Sequence, residues 1–184
     1  MTCVSISAKT SATLPSISYS IVIDGHRSLF GFAKHWRLKS GFCIYNDPGL
    51  QQVSFWAEQR SRPFKRTYRL KDIGGSTFAE IECFSPPFSR ASVAIHTEGR
   101  GLSIRESGAI GFVARQFLGT KAKYTILNCG ADVGRAEIGQ LLDGVGLQVT
   151  IEGCDDGQSQ MTLIGAGLVL ISEFLRQLAA VADA

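Results

Sequence analysis

The segment near the end of the chain, Gln160–Ala180, most constrains what this sequence can fold into. Its composition predicts a helix, and its first dozen residues, Met161–Ser172, contain no charged side chain. A helix that is apolar on every side needs either lipid or protein around it. The uncharged stretch is shorter than the ~20 apolar residues that a membrane span requires. The sequence therefore predicts a helix buried in a protein core and surrounded by the rest of the chain.

The residues before this helix have the pattern of short strands separated by tight turns. Asp24-Gly25 and Asp47-Pro48-Gly49 between apolar runs are typical of hairpins. Twelve strands are predicted: Tyr19–Ile23, Ser28–Ala33, Gly41–Asn46, Leu50–Ala57, Phe64–Leu70, Ser76–Glu82, Ala91–His96, Leu102–Arg105, Gly111–Phe117, Lys123–Leu127, Val133–Ile138 and Gly146–Glu152. A closed sheet of that size has room inside for a helix. We therefore expect a mainly β (α+β) fold, a closed antiparallel barrel of about twelve strands around a buried hydrophobic C-terminal helix.

The length of 184 residues predicts one domain. Residues 1–16 are small and polar, which predicts a flexible N-terminal arm before a single barrel domain over residues 17–184. Tyr68–Ile81 resembles Tyr124–Ile138, and each copy has a Tyr-led strand, a Gly turn and a strand that ends Ala-Glu-Ile. This similarity indicates either a duplicated hairpin or a chance match between two Gly turns.

The net charge of +3 conceals an uneven distribution along the chain. Residues 1–71 hold 11 Lys or Arg and 3 acids, residues 72–129 hold 6 and 5, and residues 130–184 hold 2 and 8. A basic first part can indicate an anionic partner. The alternative is that basic strands pack beside acidic strands within one molecule.

Two basic rows are the candidate binding residues. In an extended strand His35, Arg37 and Lys39 share one face, and Lys65, Thr67, Arg69 and Lys71 share another. Arg60 and Arg62 are expected in the loop before the second row. If the rows are adjacent, they form a positive surface for phosphate groups; otherwise they are ordinary solvated exterior. The candidate anion- or lipid-binding residues are Lys34, Arg37, Lys39, Arg60, Arg62, Lys65, Arg69 and Lys71.

Arg66 breaks the alternation of its strand. Strict alternation places it on the apolar face with Tyr68 and Leu70. We expect Arg66 to be a core arginine paired with an acid, and a β-bulge that turns it outward is the alternative.

The sequence contains no motif that indicates catalysis. The spacing of His26, His35 and His96 pairs none of them with a nucleophile, and phosphate-loop, dinucleotide and metalloprotease motifs are absent. The adjacent acids Asp155 and Asp156 have diverging side chains and no closing acid, so they are poor metal ligands. We predict no enzyme activity, no cofactor and no metal. Five cysteines without a C-x-x-C pair, and no signal peptide, indicate a reducing, cytoplasmic location.

The chain resembles the superfamily of tubby C-terminal domains, phospholipid scramblases and LURP-one-related proteins. The resemblance rests on Phe64-Lys-Arg-Thr-Tyr-Arg-Leu-Lys-Asp-Ile-Gly-Gly, on the repeated Gly-turn hairpins, and on the helix Leu163-Ile-Gly-Ala-Gly-Leu-Val-Leu-Ile-Ser-Glu-Phe. It covers residues 17–180 and implies a twelve-stranded barrel with the helix through its centre. The Pro-rich region and the cysteine cluster of scramblases are absent.

The functions of that superfamily differ among its members. Tubby-like members bind phosphoinositides at a basic surface and have been linked to transcription, scramblases are linked to Ca²⁺-dependent lipid movement, and LURP-one-related members to plant defence. Because a fold does not fix a function, the prediction is a non-enzymatic barrel that binds anionic phospholipid headgroups or another phosphorylated ligand, peripheral to a membrane and not spanning it. The alternative is a protein-interaction or regulatory module without lipid binding. Nucleic acid is a disfavoured partner, because the total charge is low.

Overall fold

A computed structural model describes residues 2–10, 16–25, 27–34, 41–63, 65–84, 92–97, 100–107, 122–141, 144–151 and 157–182. These residues form twelve strands followed by one helix. The strands are β1 (Thr2–Thr10), β2 (Ser16–Ile23), β3 (Arg27–Lys34), β4 (Phe42–Tyr45), β5 (Val53–Arg62), β6 (Lys65–Lys71), β7 (Thr77–Phe84), β8 (Ser92–Thr97), β9 (Arg100–Glu106), β10 (Ala122–Asn128), β11 (Ala131–Leu141) and β12 (Gly144–Ile151). The helix α1 is Gly157–Ala182.

Every strand is antiparallel to its neighbours. From β2 to β12 each strand pairs with the next along the chain. The first strand, β1, pairs with β2 on one side and with β12 on the other. The strand order is that of a closed barrel. The prediction of a mainly β, antiparallel fold with one C-terminal helix is confirmed.

The prediction of a flexible N-terminal arm over residues 1–16 is wrong for residues 2–10. These residues form β1, in which Val4, Ile6 and Ala8 are buried. The residues between them, Ser5 and Ser7, are more exposed, so the segment alternates as a half-buried strand does. The many small hydroxyl side chains conceal this period of two when the composition alone is considered.

The helix is buried on all sides. Every residue from 162 to 174 is buried, a run of more than three helical turns. The helix contacts β1 and β12 as well as β6 and β7, which are opposite each other in the strand order. The Ser172 hydroxyl donates a hydrogen bond to the backbone carbonyl of Leu168 at 2.8 Å, so this buried hydroxyl has a partner within the helix. None of the helical residues described here forms a run long and apolar enough to cross a membrane.

Two of the predicted hairpins belong to the repeated sequence, and both are present. Tyr68–Ile81 spans β6 and β7, and Tyr124–Ile138 spans β10 and β11. The second turn is Cys129-Gly130, in which both residues have positive φ, 49° and 88°. This is the backbone twist that two-residue hairpins favour. The predicted strand Gly111–Phe117 lies outside the described residues.

Candidate anion-binding surface

The candidate surface is the outer face of β5, β6 and β7. On β6, Tyr68 and Leu70 are completely buried and point into the barrel. The alternate residues Lys65, Arg69 and Lys71 therefore point outward, and their side chains are partly exposed. The prediction that Lys65, Thr67, Arg69 and Lys71 share one outer face is confirmed by this burial pattern.

The three outward cations of β6 are each paired with a carboxylate on an adjacent strand. Lys65 Nζ lies 2.6 Å from Glu82 Oε1 of β7, and Arg69 Nε donates to Glu80 Oε2 of β7 at 2.9 Å. On the other side Lys71 Nζ donates to Glu58 Oε1 of β5 at 2.8 Å. Cations and carboxylates of neighbouring strands thus pair within one molecule, and these carboxylates come from residues 58–82 and not from the acidic last part of the chain. Exposed pairs of this kind stabilise a protein by at most about 1 kcal/mol each.

Arg60 and Arg62 are placed differently from the prediction. They were expected in a loop, but they lie in β5, where Arg60 is opposite Thr67 and Arg62 is opposite Lys65. The strand is hard to recognise because its inward residues are also polar here. Gln59 and Ser61 face inward opposite Tyr68 and Arg66, and the Gln59 amide donates to the Ser61 hydroxyl at 2.8 Å.

The end of the β5–β6 hairpin carries an excess of positive charge. The outer face of β5–β7 has five cations (Arg60, Arg62, Lys65, Arg69, Lys71) and three carboxylates (Glu58, Glu80, Glu82), an excess of two cations. Within the described part of the chain, neither Arg60 nor Arg62 forms an ion pair. Both are exposed. The unbalanced charge is therefore concentrated at the tip of this hairpin, which we call the hairpin end (Arg60, Arg62, Lys65).

An exposed aromatic ring lies beside the hairpin end. Phe84, at the end of β7, is 49% exposed and is the direct neighbour of Lys65 across the sheet. The order Arg62, Lys65, Phe84 is one outward row across β5, β6 and β7. Sequence reasoning missed Phe84 because a strand-end Phe has the pattern of a core residue.

The charges of this face act on one another through space. The hydrogen bond from Lys71, together with the charges of Lys71, Arg60 and Arg69, holds the pKa of Glu58 below its ordinary value of 4.5.

Sequence reasoning did not identify the carboxylates on β7 as partners of the cations on β6. They were detectable, since the turn after Lys71 folds Glu80 back beside Arg69.

The other predicted residues are not brought into this surface by the described structure. Lys34 ends β3, which pairs with β2 and β4 and not with β6. Arg37, Lys39, Asp155 and Asp156 lie outside the described residues. Where the structure is described, no three His, Cys, Asp or Glu residues come together as a metal site would need.

No protein-family model, no curated protein and no solved structure matches this chain.

Proposed function

We propose that this protein binds anionic, phosphate-bearing ligands, in particular phospholipid headgroups at a membrane surface, through the hairpin end. The observation that carries the proposal is the contrast within one face. Lys65, Arg69 and Lys71 have carboxylate partners, whereas Arg60 and Arg62 have no ion-pair partner among the described residues. Exposed guanidinium groups without a partner are available for bidentate hydrogen bonds to phosphate.

The size of the expected effect favours a peripheral interaction with a membrane. Each Lys or Arg close to an anionic bilayer contributes about 1 kcal/mol. Arg60 and Arg62, the two cations of the hairpin end that form no ion pair among the described residues, would thus together raise the affinity roughly 30-fold over a neutral surface. Phe84 beside them offers an apolar ring for the boundary between headgroups and acyl chains.

The architecture supports the proposed membership of the tubby, scramblase and LURP-one-related superfamily. A hydrophobic C-terminal helix enclosed by antiparallel strands is what the resemblance implies. We propose a binding role rather than an enzymatic one. A cytoplasmic location at a membrane surface is part of the same proposal.

Vesicle co-sedimentation tests the proposal. Vesicles of phosphatidylcholine alone are compared with vesicles that also contain phosphatidylserine or a phosphoinositide, at low and physiological salt. We expect binding only to the anionic vesicles, and a loss of roughly 10-fold or more for Arg60→Gln with Arg62→Gln, as two charges are removed.

The matched control is Arg69→Gln with Lys71→Gln, which removes the same number of charges from paired positions of the same face. It should weaken vesicle binding much less than the hairpin variant. Equal losses for both variants would show a response to net charge alone and would contradict the site. If no vesicle is bound, a protein-interaction module becomes the better description, with the same arginines docking an acidic partner.

A further inference from the structure

A groove of about 530 Å³ lies on a different part of the barrel, on the outer surface of β10 and β11. Its lining includes the outward residues Lys123, Thr125, Asp132, Arg135 and Glu137, together with Ser107 just after β9. Four strands, β6 to β9, separate it from β5 in the strand order. A volume of this size is typical of sites for small molecules.

One outward row that crosses the groove has the composition of an oxyanion site. The register places Thr125 of β10 opposite Arg135 of β11, both in the lining, and places Arg105 of β9 beside the groove, opposite Thr125. Since neighbouring strands are about 4.8 Å apart, the two arginines flank the threonine hydroxyl at one level of the barrel. Both arginines are exposed, and no ion pair is formed by either within the described ranges.

The hydroxyl of Ser107 lies beside the hydroxyl of Thr125. Ser107 Oγ lies 2.8 Å from Thr125 Oγ1, and the backbone there is fixed because Ser107 N donates to the carbonyl of Lys123 at 2.8 Å. The two hydroxyls therefore lie together, and the two arginines flank Thr125 on the neighbouring strands. Such a set of donors matches the oxygens of a phosphate group.

The two ends of the groove restrict the size of the ligand. Glu137 lies opposite Lys123 at one end, and Asp132 lies at the other end, where one of its oxygens accepts from Gly134 N at 3.3 Å. Carboxylates on both sides of an anion site repel an extended polyanion such as a membrane surface. They accept hydrogen bonds from hydroxyl or amine groups of a compact molecule.

We propose that this groove is a second site, which binds a small soluble phosphate monoester through Arg105, Arg135, Thr125 and Ser107. The part of the ligand next to the phosphate carries hydroxyl or amine donors for Asp132 or Glu137. This site is independent of the hairpin end and of its function.

A titration with glycerol 3-phosphate, followed by ¹H–¹⁵N NMR, tests the second site, with glycerol and inorganic phosphate as comparison probes. We expect shifts of the amide signals of Ser107, Thr125 and Arg135, and tighter binding of glycerol 3-phosphate than of inorganic phosphate. Glycerol alone should cause no shift. Arg105→Gln with Arg135→Gln should weaken glycerol 3-phosphate binding at least 10-fold, and Thr125→Val should weaken it several-fold.

The hairpin variant, Arg60→Gln with Arg62→Gln, separates the two sites. It should leave glycerol 3-phosphate binding unchanged, while the groove variant should keep its binding to anionic vesicles. The second site is wrong if glycerol 3-phosphate shifts no groove signal, or if the hairpin variant loses the ligand as strongly as the groove variant. Loss of vesicle binding in the groove variant would also contradict the second site, because the groove would then belong to the surface of the protein that contacts the membrane.

Discussion

Arg66 of β6 and Glu173 of α1 form an ion pair that joins the inner surface of the barrel to the enclosed helix. Arg66 Nη1 donates to Glu173 Oε2 at 2.5 Å, and the hydroxyl of Tyr68, two residues along the same inward face, donates to Glu173 Oε1 at 3.4 Å. The Glu173 side chain is only 6% exposed. Both carboxylate oxygens thus bind one strand, which fixes the depth and the rotation of the helix. The prediction that Arg66 lies on the inward face and pairs with an acid is confirmed, and its side chain is 24% exposed rather than fully buried.

Replacing Glu173 by Gln should destabilise the protein by about 2 kcal/mol, because the Arg66 charge would lose its ionised partner in a mostly buried setting. Urea denaturation measures the change. The matched control is Glu80→Gln, which breaks the exposed pair with Arg69 and should cost less than about 1 kcal/mol. Equal costs for the two substitutions would contradict an enclosed ion pair. Arg66→Met with Glu173→Leu should be more stable than Glu173→Gln alone, since no charge is then left without its partner.

Gly165 permits the helix to approach β6 closely. We therefore expect that adding a side chain at this position destabilises the protein. A Cβ atom at this position would collide with the side chain of Leu70, which is completely buried. Gly165→Ala gains about 1 kcal/mol of helix propensity, but overpacking of a core costs about 1–3 kcal/mol, so we expect a net loss of stability. In a Leu70→Ala background the same change should become stabilising. A double-mutant cycle measured by urea denaturation gives this coupling, and additive effects would show that the two residues are not in contact.

The first strand predicts a third result. Ile6 is 1% exposed, whereas its neighbour Ser5 faces outward. Ile6→Ala should cost about 2–5 kcal/mol as a core truncation, and Ser5→Ala should change the free energy of unfolding by less than about 0.5 kcal/mol. Thermal denaturation compares them. If residues 2–10 were an arm, both substitutions would be neutral.

The pKa of Glu58 predicts a fourth result, in acid. Its pKa is lowered, foremost by the hydrogen bond from Lys71, so the folded state favours the carboxylate. The contribution to stability is present above pH 4.5 and is lost as the pH falls through the lowered pKa. In an NMR titration of the side-chain carboxyl, Lys71→Met should raise the pKa of Glu58 toward its ordinary value.

Asp47 provides the internal control for that titration. Its pKa is lowered mainly by a hydrogen bond from the backbone N–H of Gln52, and Lys71 takes no part. The pKa of Asp47 should therefore be the same in both proteins. An unchanged pKa of Glu58 in the variant would contradict the ion pair with Lys71.

The elements that the sequence predicts well are those with one polar and one apolar face. On β6 the alternation of Tyr68 and Leu70 with Arg69 and Lys71 assigns both the strand and its outer face. It also isolates Arg66 as an inward charge. The burial of the helix is predictable because Met161–Ser172 carries no charged side chain on any face, so no face favours contact with water.

The elements that sequence reasoning misses have weak contrast between their faces. In β1, Ser5 and Ser7 are small enough to resemble a loop, and the burial of Ile6 depends on the pairing with β12 near the other end of the chain. In β5 the residues from Glu58 to Arg62 are polar on both faces, because this end of the barrel interior is polar. Both strands are therefore determined by contacts with residues distant in sequence and not by their own residue pattern. The pairing of Lys65 with Glu82 likewise depends on the register of the sheet, which a charge count along the chain does not contain.

The pairing of β1 with β12 has a consequence for how the protein is made. Ile6 lies opposite Leu147, so one side of β1 stays without its neighbour until the 141 residues that follow Ile6, up to Leu147, have been synthesised. At about 5–20 residues per second this wait lasts roughly ten seconds. Through that time a hairpin of β1 and β2 presents an open edge of backbone donors and acceptors, the kind of surface that recruits other chains. A chaperone that shields this edge during synthesis should therefore raise the yield of the folded protein.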